Sequence, residues 1–265
     1  MPTSQIQTSR IHYEISGPET GAVVVLVNSL GADLHMWDKV MPWLNNDFRV
    51  LRFDARGHGL SSAPAIPCSI DHLGGDLMNL LDQLSIESIH LCGLSLGGMV
   101  GIWLSIHFPR RLSKLVLANT AARIGTREGW NARIAAVQSL GMAPLAQATL
   151  DRWFTPDYCQ QHRDEMHQIR KMIERTSPEG YIACCTVLRD TDLRSQLSII
   201  EAPCLVITGS EDPATPPQDG RELHLGLRSS TYLELNASHL SAWEQSERFA
   251  GAILDFFNGK ERGNG

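Results

Sequence analysis

The 265-residue sequence has no run of about 18 apolar residues, the minimum for a helix that crosses a bilayer. Its first residues, Met1-Pro2-Thr3-Ser4-Gln5, lack the basic-then-apolar pattern of a secretory signal. No stretch is rich in Lys and Arg and the formal net charge is −6, so nucleic acid is not an expected partner. The six cysteines, Cys68, Cys92, Cys159, Cys184, Cys185 and Cys204, form no C-x-x-C and no Cys/His ligand spacing. That pattern excludes a zinc module and gives no reason to expect disulfides. Cys92 and Cys204 sit in apolar runs, where a thiol acts as a small hydrophobe, and a reactive role stays open only for the adjacent Cys184-Cys185. Repeats and low-complexity tracts are also missing. These absences leave the expectation of a soluble cytoplasmic protein with no metal, no other cofactor, and no membrane or nucleic-acid partner; they leave the oligomeric state open.

Hydrophobic residues make up 43% of the chain, enough for a globular core. Short unalternating runs recur: Val23–Val27, Arg49–Phe53, Ser88–Cys92, Leu115–Ala118 and Cys204–Thr208. Runs of this kind, bounded by Gly, Asp or Asn, are expected as strands buried on both faces of a parallel sheet. Helical patterns lie between them, as where Leu73, Leu77, Leu80, Leu81 and Leu84 share one face. Ser241 and Glu244 have capping-box spacing, which predicts a helix starting there and carrying Phe249, Ile253 and Phe256-Phe257. Strands alternating with helices predict an α/β fold, a mostly parallel sheet flanked by helices. Ile6–Ser16 alternates more and reads as an antiparallel edge, while the tail from Gly259 is expected to fray.

The alternation stops between about residues 121 and 190. Only helical periodicity appears there: Trp130/Ile134/Val137, Leu145/Leu150/Trp153, Met166/Ile169/Met172/Ile173 and Tyr181/Cys184/Val187/Leu188, with Thr126, Thr155 and Ser177 placed as N-caps. The expected organisation is therefore a core of residues 1–120 and 191–265, and an all-helical cap of residues 121–190.

Gly93-Leu94-Ser95-Leu96-Gly97 follows a predicted strand and precedes a predicted helix over Met99–Phe108. G-x-S-x-G in a strand–turn–helix setting is a nucleophile elbow, which pushes a serine hydroxyl out at the sheet edge. Such a serine needs a base, and the base needs an orienting acid. Asp212 follows the strand Cys204–Thr208, and His239 follows the strand Thr231–Leu235, so both fall on loops at the same sheet edge. Glu211 and nine other histidines are rivals; His224 lies in a helical stretch and His12 in the edge strand, which removes both from a loop position.

The elbow, Gly209-x-x-Asp212 with Pro216 beyond it, and Ser238-His239 resemble the α/β-hydrolase superfamily over nearly the whole chain. Asp54-Ala55-Arg56-Gly57-His58-Gly59-Leu60-Ser61 resembles the D-x-R-G-x-G-x-S turn of capped members. Where many relatives carry His-Gly after the early strand, this chain has Asn28-Ser29-Leu30-Gly31. That string, with Ala118–Ala122 and Arg152–Thr155, resembles the 3-oxoadipate enol-lactonases of aromatic-compound catabolism. The resemblance implies Ser95, Asp212 and His239 as catalytic triad, and the backbone N–H groups of Leu30 and Leu96 as oxyanion hole. It also implies an anionic lactone as small-molecule partner, opened to a 3-oxo dicarboxylate without a cofactor.

A carboxylated substrate calls for a local cation. Arg133 interrupts the apolar stripe of the predicted cap helix at i+3 from Trp130, so it is expected at the substrate carboxylate unless Asp151, Asp164 or Glu165 pairs with it. Arg123 and Arg127 are the alternatives, and Trp130 and Trp153 are expected as core or pocket wall beside the substrate. The rival functions are another capped esterase, a carbon–carbon bond hydrolase, a perhydrolase, or a small-molecule receptor on the same scaffold. Families with an aspartate nucleophile do not fit a serine at the elbow.

Overall fold

The computed structural model describes residues 3–6, 9–63 and 68–259. Eight strands form one sheet: β1 (Thr3–Ile6), β2 (Ser9–Ser16), β3 (Val23–Val27), β4 (Arg49–Phe53), β5 (Ile89–Leu94), β6 (Leu112–Ala118), β7 (Cys204–Gly209) and β8 (Ser230–Leu235). Their spatial order is β1-β2-β4-β3-β5-β6-β7-β8. From β4 to β8 every pairing is parallel, whereas β2 runs antiparallel to β4 and β1 antiparallel to β2. The predicted edge stretch is thus two strands, with residues 7 and 8 outside the described part. The tail expected to fray lies outside it from residue 260.

The central strands are buried along nearly their whole length because helices cover both faces. α1 (Met41–Asp47), α2 (Ile70–Gln83) and α3 (Leu96–His107) connect strands in the first half of the sheet, α9 (Pro217–Gly226) joins β7 to β8, and α10 (Ser241–Glu244) and α11 (Ser246–Phe257) follow β8. Chain order reverses across β3: β4 lies on one side of it and β5 on the other. Loops leaving β3 and β5 therefore diverge and open a crevice at their carboxyl ends, the position where open α/β sheets bind ligands.

Five helices separate β6 from β7: α4 (Arg127–Leu140), α5 (Ala143–Trp153), α6 (Pro156–Gln161), α7 (Arg163–Arg175) and α8 (Pro178–Asp190). Thr126, Thr155 and Ser177 cap α4, α6 and α8 through their hydroxyls. The predicted capping box at Ser241 is absent. Gln245 separates the four-residue α10 from α11, Ser241 Oγ donates to Asn119 Oδ1, and Glu244 is drawn to Thr155 and Ser238. Tertiary partners took both side chains that would have closed the box. No helix among the described residues is long and apolar enough to cross a membrane.

Candidate active site

Ser95 occupies the turn between β5 and α3 with φ +58° and ψ −115°. A non-glycine residue in this region is strained and is held by its surroundings. Ser95 N–H donates to Ala118 O at 3.0 Å, and Thr120 Oγ1 donates to Ser95 O at 2.7 Å. The glycines around it are needed for space. A Cβ on Gly93 would lie 2.2 Å from Gly97 O, and one on Gly97 would lie 2.1 Å from Val27 O. Only with both side chains absent does the start of α3 fold back against β5 and β3, leaving Ser95 at the tip of the turn on the wall of a cavity.

Asp212 and His239 come from the loops after β7 and β8, whose parallel register ends on the pair Gly209–Leu235. Ser210 N–H donates to Leu235 O and Glu211 N–H to Ala237 O, which ties the two loops together. His239 Nδ1 lies 2.8 Å from Asp212 Oδ2. The carboxylate also accepts Asn119 Nδ2 at 3.0 Å, Thr215 Oγ1 at 2.7 Å, and the N–H groups of Ala214 and Thr215 at 2.8 and 3.0 Å. Burial alone would raise its pKa, but the charge and hydrogen bond of His239, then Asn119 and Thr215, hold the carboxyl below its ordinary range. An ionised carboxylate only accepts hydrogen bonds, so the ring donates from Nδ1, and Nε2 is the nitrogen left for another partner. The rival Glu211 is exposed while Asp212 is buried, which separates the two acids.

Ser95 and His239 line one cavity of about 230 Å³, together with Leu30, Trp130, Arg133, Arg152, Trp153 and Tyr181. Among the described residues neither Ser95 Oγ nor His239 Nε2 has a hydrogen-bond partner, so both face the cavity uncommitted. Leu30 N–H has no acceptor either, and Leu96 N–H is the first amide of α3, which has no partner within its helix. Leu96 is buried behind the lining rather than part of it.

Arg133 has no carboxylate within 4 Å among the described residues; its guanidinium lies over the Trp130 ring at 5.1 Å. Glu165, a predicted partner, pairs with Lys39 instead, and Asp151 accepts from Gln147. Arg123 and Arg127 do not reach the cavity; they pair with Asp192 at 3.6 Å and Asp190 at 2.7 Å on the surface. A second cavity cation, Arg152, escaped the sequence reading, which used it only as part of a string. Burial, reinforced by the nearby Arg133, pushes its pKa down to about 10, and among the described residues its one side-chain hydrogen bond is to Thr149 Oγ1 at 3.3 Å. Asn119 was missed as well. It has no charge and no periodicity to mark it, yet it is fully buried and links Asp212, Ser238 and Ser241.

Among the described residues no three His, Cys, Asp or Glu side chains converge as a metal-binding group. Cys184 and Cys185 are fully buried in α8, where burial raises both thiols, Cys185 to about 12. His12 pairs with Asp54 at 2.7 Å in a second buried histidine–carboxylate contact, away from the cavity.

Residues 22–246 match the family described as alpha/beta hydrolase fold. The sequence is 39% identical over 251 residues to 3-oxoadipate enol-lactonase 2 of Acinetobacter baylyi, spanning 95% of this chain and 94% of that protein. It is 36% identical over 250 residues to 3-oxoadipate enol-lactonase 1 of the same organism, spanning 94% of each. The fold is similar to the crystal structure of the enol-lactonase from Burkholderia xenovorans LB400, with a TM-score of 0.95 and 40% identity over 97% of this chain and 100% of that one. The chain therefore belongs to the α/β-hydrolase family and, within it, to the family of the 3-oxoadipate enol-lactonases.

Proposed function

We propose that this chain is a cytoplasmic serine hydrolase that opens 3-oxoadipate enol-lactone to 3-oxoadipate in the catabolism of aromatic compounds by the β-ketoadipate route. In this reading residues 121–190 are a cap domain that supplies the substrate-selecting wall, and residues 1–120 and 191–265 are the catalytic core. Ser95 Oγ attacks the ring carbonyl as its proton passes to His239 Nε2. Asp212 stabilises the imidazolium, and the N–H groups of Leu30 and Leu96 receive the oxyanion. Collapse of the tetrahedral intermediate breaks the ring C–O bond and expels an enolate, which takes the proton held on His239 Nε2 and tautomerises to the ketone. Water, deprotonated by His239, then attacks the acyl-enzyme and frees Ser95.

The observation that carries the substrate is the pair Arg133 and Arg152. Two cations without carboxylate partners among the described residues line the cavity that holds Ser95 and His239, and their mutual repulsion is relieved by an anionic ligand. A guanidinium grips a carboxylate through two parallel hydrogen bonds, and Trp130 and Trp153 give the ring an apolar seat. Six free cysteines, five of them buried, suit a reducing cytoplasm.

Hydrolysis of the enol-lactone and of an uncharged p-nitrophenyl ester, measured in wild type, Arg133→Met and Arg152→Met, tests this. Each variant should lose about 2–4 kcal/mol in kcat/KM on the lactone, the range for a buried charge-assisted pair, and little on the ester. Melting temperatures should hold or rise, because each substitution removes one of two repelling cations. Equal losses on both substrates would retire the carboxylate role, and no lactone turnover by wild type would retire the substrate.

A further inference from the structure

The turn from Asp54 to Ser61 is not part of the Ser95–His239–Asp212 arrangement, yet it grips the loop that carries Leu30 at two points. Asp54 Oδ1 accepts Leu34 N–H at 2.8 Å, and Asp54 Oδ2 accepts Leu60 N–H at 2.9 Å within the turn. His58 Nε2 accepts Gly31 N–H at 3.0 Å. Its other ring nitrogen, Nδ1, lies 3.1 Å from Arg56 O, a carbonyl that can only accept. The ring is 1% exposed, so no water competes for either nitrogen.

These contacts define one protonation state. Nε2 takes a hydrogen bond and carries the lone pair; Nδ1 gives one and carries the proton. An imidazolium would set Nε2–H against Gly31 N–H and lose the bond. Burial lowers the ring's pKa, against smaller opposite pulls from the hydrogen bond to Arg56 O and then the charge of Asp54, while the Arg56 guanidinium is engaged with Asp76. Along the loop, Ser29 N–H is held by Met36 Sδ at 3.3 Å and Gly31 N–H by His58. The amide between them, that of Leu30, has no acceptor among the described residues.

We propose that His58 is a positioning residue for the oxyanion hole: as a neutral, Nδ1-protonated ring it fixes the Gly31 peptide, and so aims Leu30 N–H at the oxygen that becomes negative in the transition state. The inference rests on the reading of Ser95 as nucleophile and Leu30 as oxyanion donor. A misaimed donor weakens transition-state binding and leaves ground-state binding alone, so the effect falls on kcat.

The test compares His58→Leu, which fills the volume without an acceptor, with His58→Gln, whose amide oxygen reaches about as far as Nε2. His58→Leu should lower kcat about 10–100-fold on both the anionic lactone and the neutral ester, somewhat less than outright loss of an oxyanion donor, with KM within about twofold. His58→Gln should recover most of that loss. Equal losses in the two variants, an unchanged kcat in His58→Leu, or an effect on KM alone would overturn the proposal. If His58→Leu does not fold, ¹⁵N NMR of the wild-type imidazole at pH 7 decides: the Nδ1–H tautomer is expected, and an Nε2–H tautomer or an imidazolium overturns it. Undiminished activity of Ser95→Ala would instead sink the underlying reading, which keeps the two failures apart.

Discussion

Both oxygens of Asp212 are occupied by donors, among them Asn119 Nδ2, which also donates to Ser238 O at 3.2 Å. An Asp212→Asn side chain would turn an NH₂ toward donors that need an acceptor, and His239 would be pushed to the opposite tautomer. We expect kcat to fall about 10³–10⁴-fold with the fold retained, a loss typical of a wrong tautomer in such triads. Ser95→Ala and His239→Ala should each cost about 10⁴–10⁶ in kcat, and the double variant little more, because the three groups act as a unit. Steady-state rates on one ester read all of these. Asn119→Ala leaves Ser241 Oγ without its acceptor and the Asp212 carboxylate short of one donor, in a place without exposure to water. It should cost about 1–3 kcal/mol of stability, the penalty for orphaned buried polar groups, which chemical denaturation measures.

At the scale of elements, the histidine loop is held from the helical insertion as well as from the sheet. Ser238 Oγ donates to Arg152 O at 2.8 Å and Leu240 N–H to Trp153 O at 2.9 Å, so the end of α5 brackets His239 on both sides. Glu244 completes the tie, accepting Ser238 N–H at 2.9 Å through one oxygen and Thr155 Oγ1 through the other. Glu244→Ala should therefore lower the melting temperature by several degrees, from about 1–3 kcal/mol of lost hydrogen bonding. It should also lower kcat more than it raises KM, because the loosened loop carries His239, proposed as the base, and not Arg133 or Arg152, proposed for the substrate carboxylate. A Tm loss with unchanged kcat would show that the tie is structural alone. A second latch lies further out, where Lys39 pairs with Glu165 and Trp243 Nε1 donates to the same carboxylate at 2.8 Å.

For the molecule as a whole, the buried His58 and the half-buried His90 contribute to the response to mild acid. His58 and His90 both have pKa values lowered, first by burial, and His90 stacks on Phe257 of α11 at 4.9 Å. A folded value below the unfolded one, near 6.5, means the unfolded chain binds protons first as pH falls. The stability these rings contribute is full above about pH 6.5 and drains away as pH falls toward their folded values. His35, raised by its hydrogen bond to Asp38, acts the other way from the surface. Denaturation at pH 7.5 and 5.5 should show a less stable protein in acid, and His90→Phe should flatten the difference; an unchanged difference would remove His90 from the account. The sequence by itself determined the parallel sheet, the break in alternation after β6, the elbow, and the order of serine, acid and histidine. Each of these is written in local periodicity or in a motif whose neighbours in the chain suffice. Tertiary structure decided what depends on which segments meet. It placed Asp212, and not the exposed Glu211, against His239, and it withdrew Arg123 and Arg127 to surface pairs. Arg152 entered the cavity beside Arg133, and Asn119 and His58 became anchors of loops they are nowhere near in sequence. Ser241 and Glu244 show the reason most plainly. Their spacing is that of a helix cap, but a buried acceptor on β6's loop and a donor on the histidine loop compete for the same atoms, and a contact made across the fold outweighs one made along the chain.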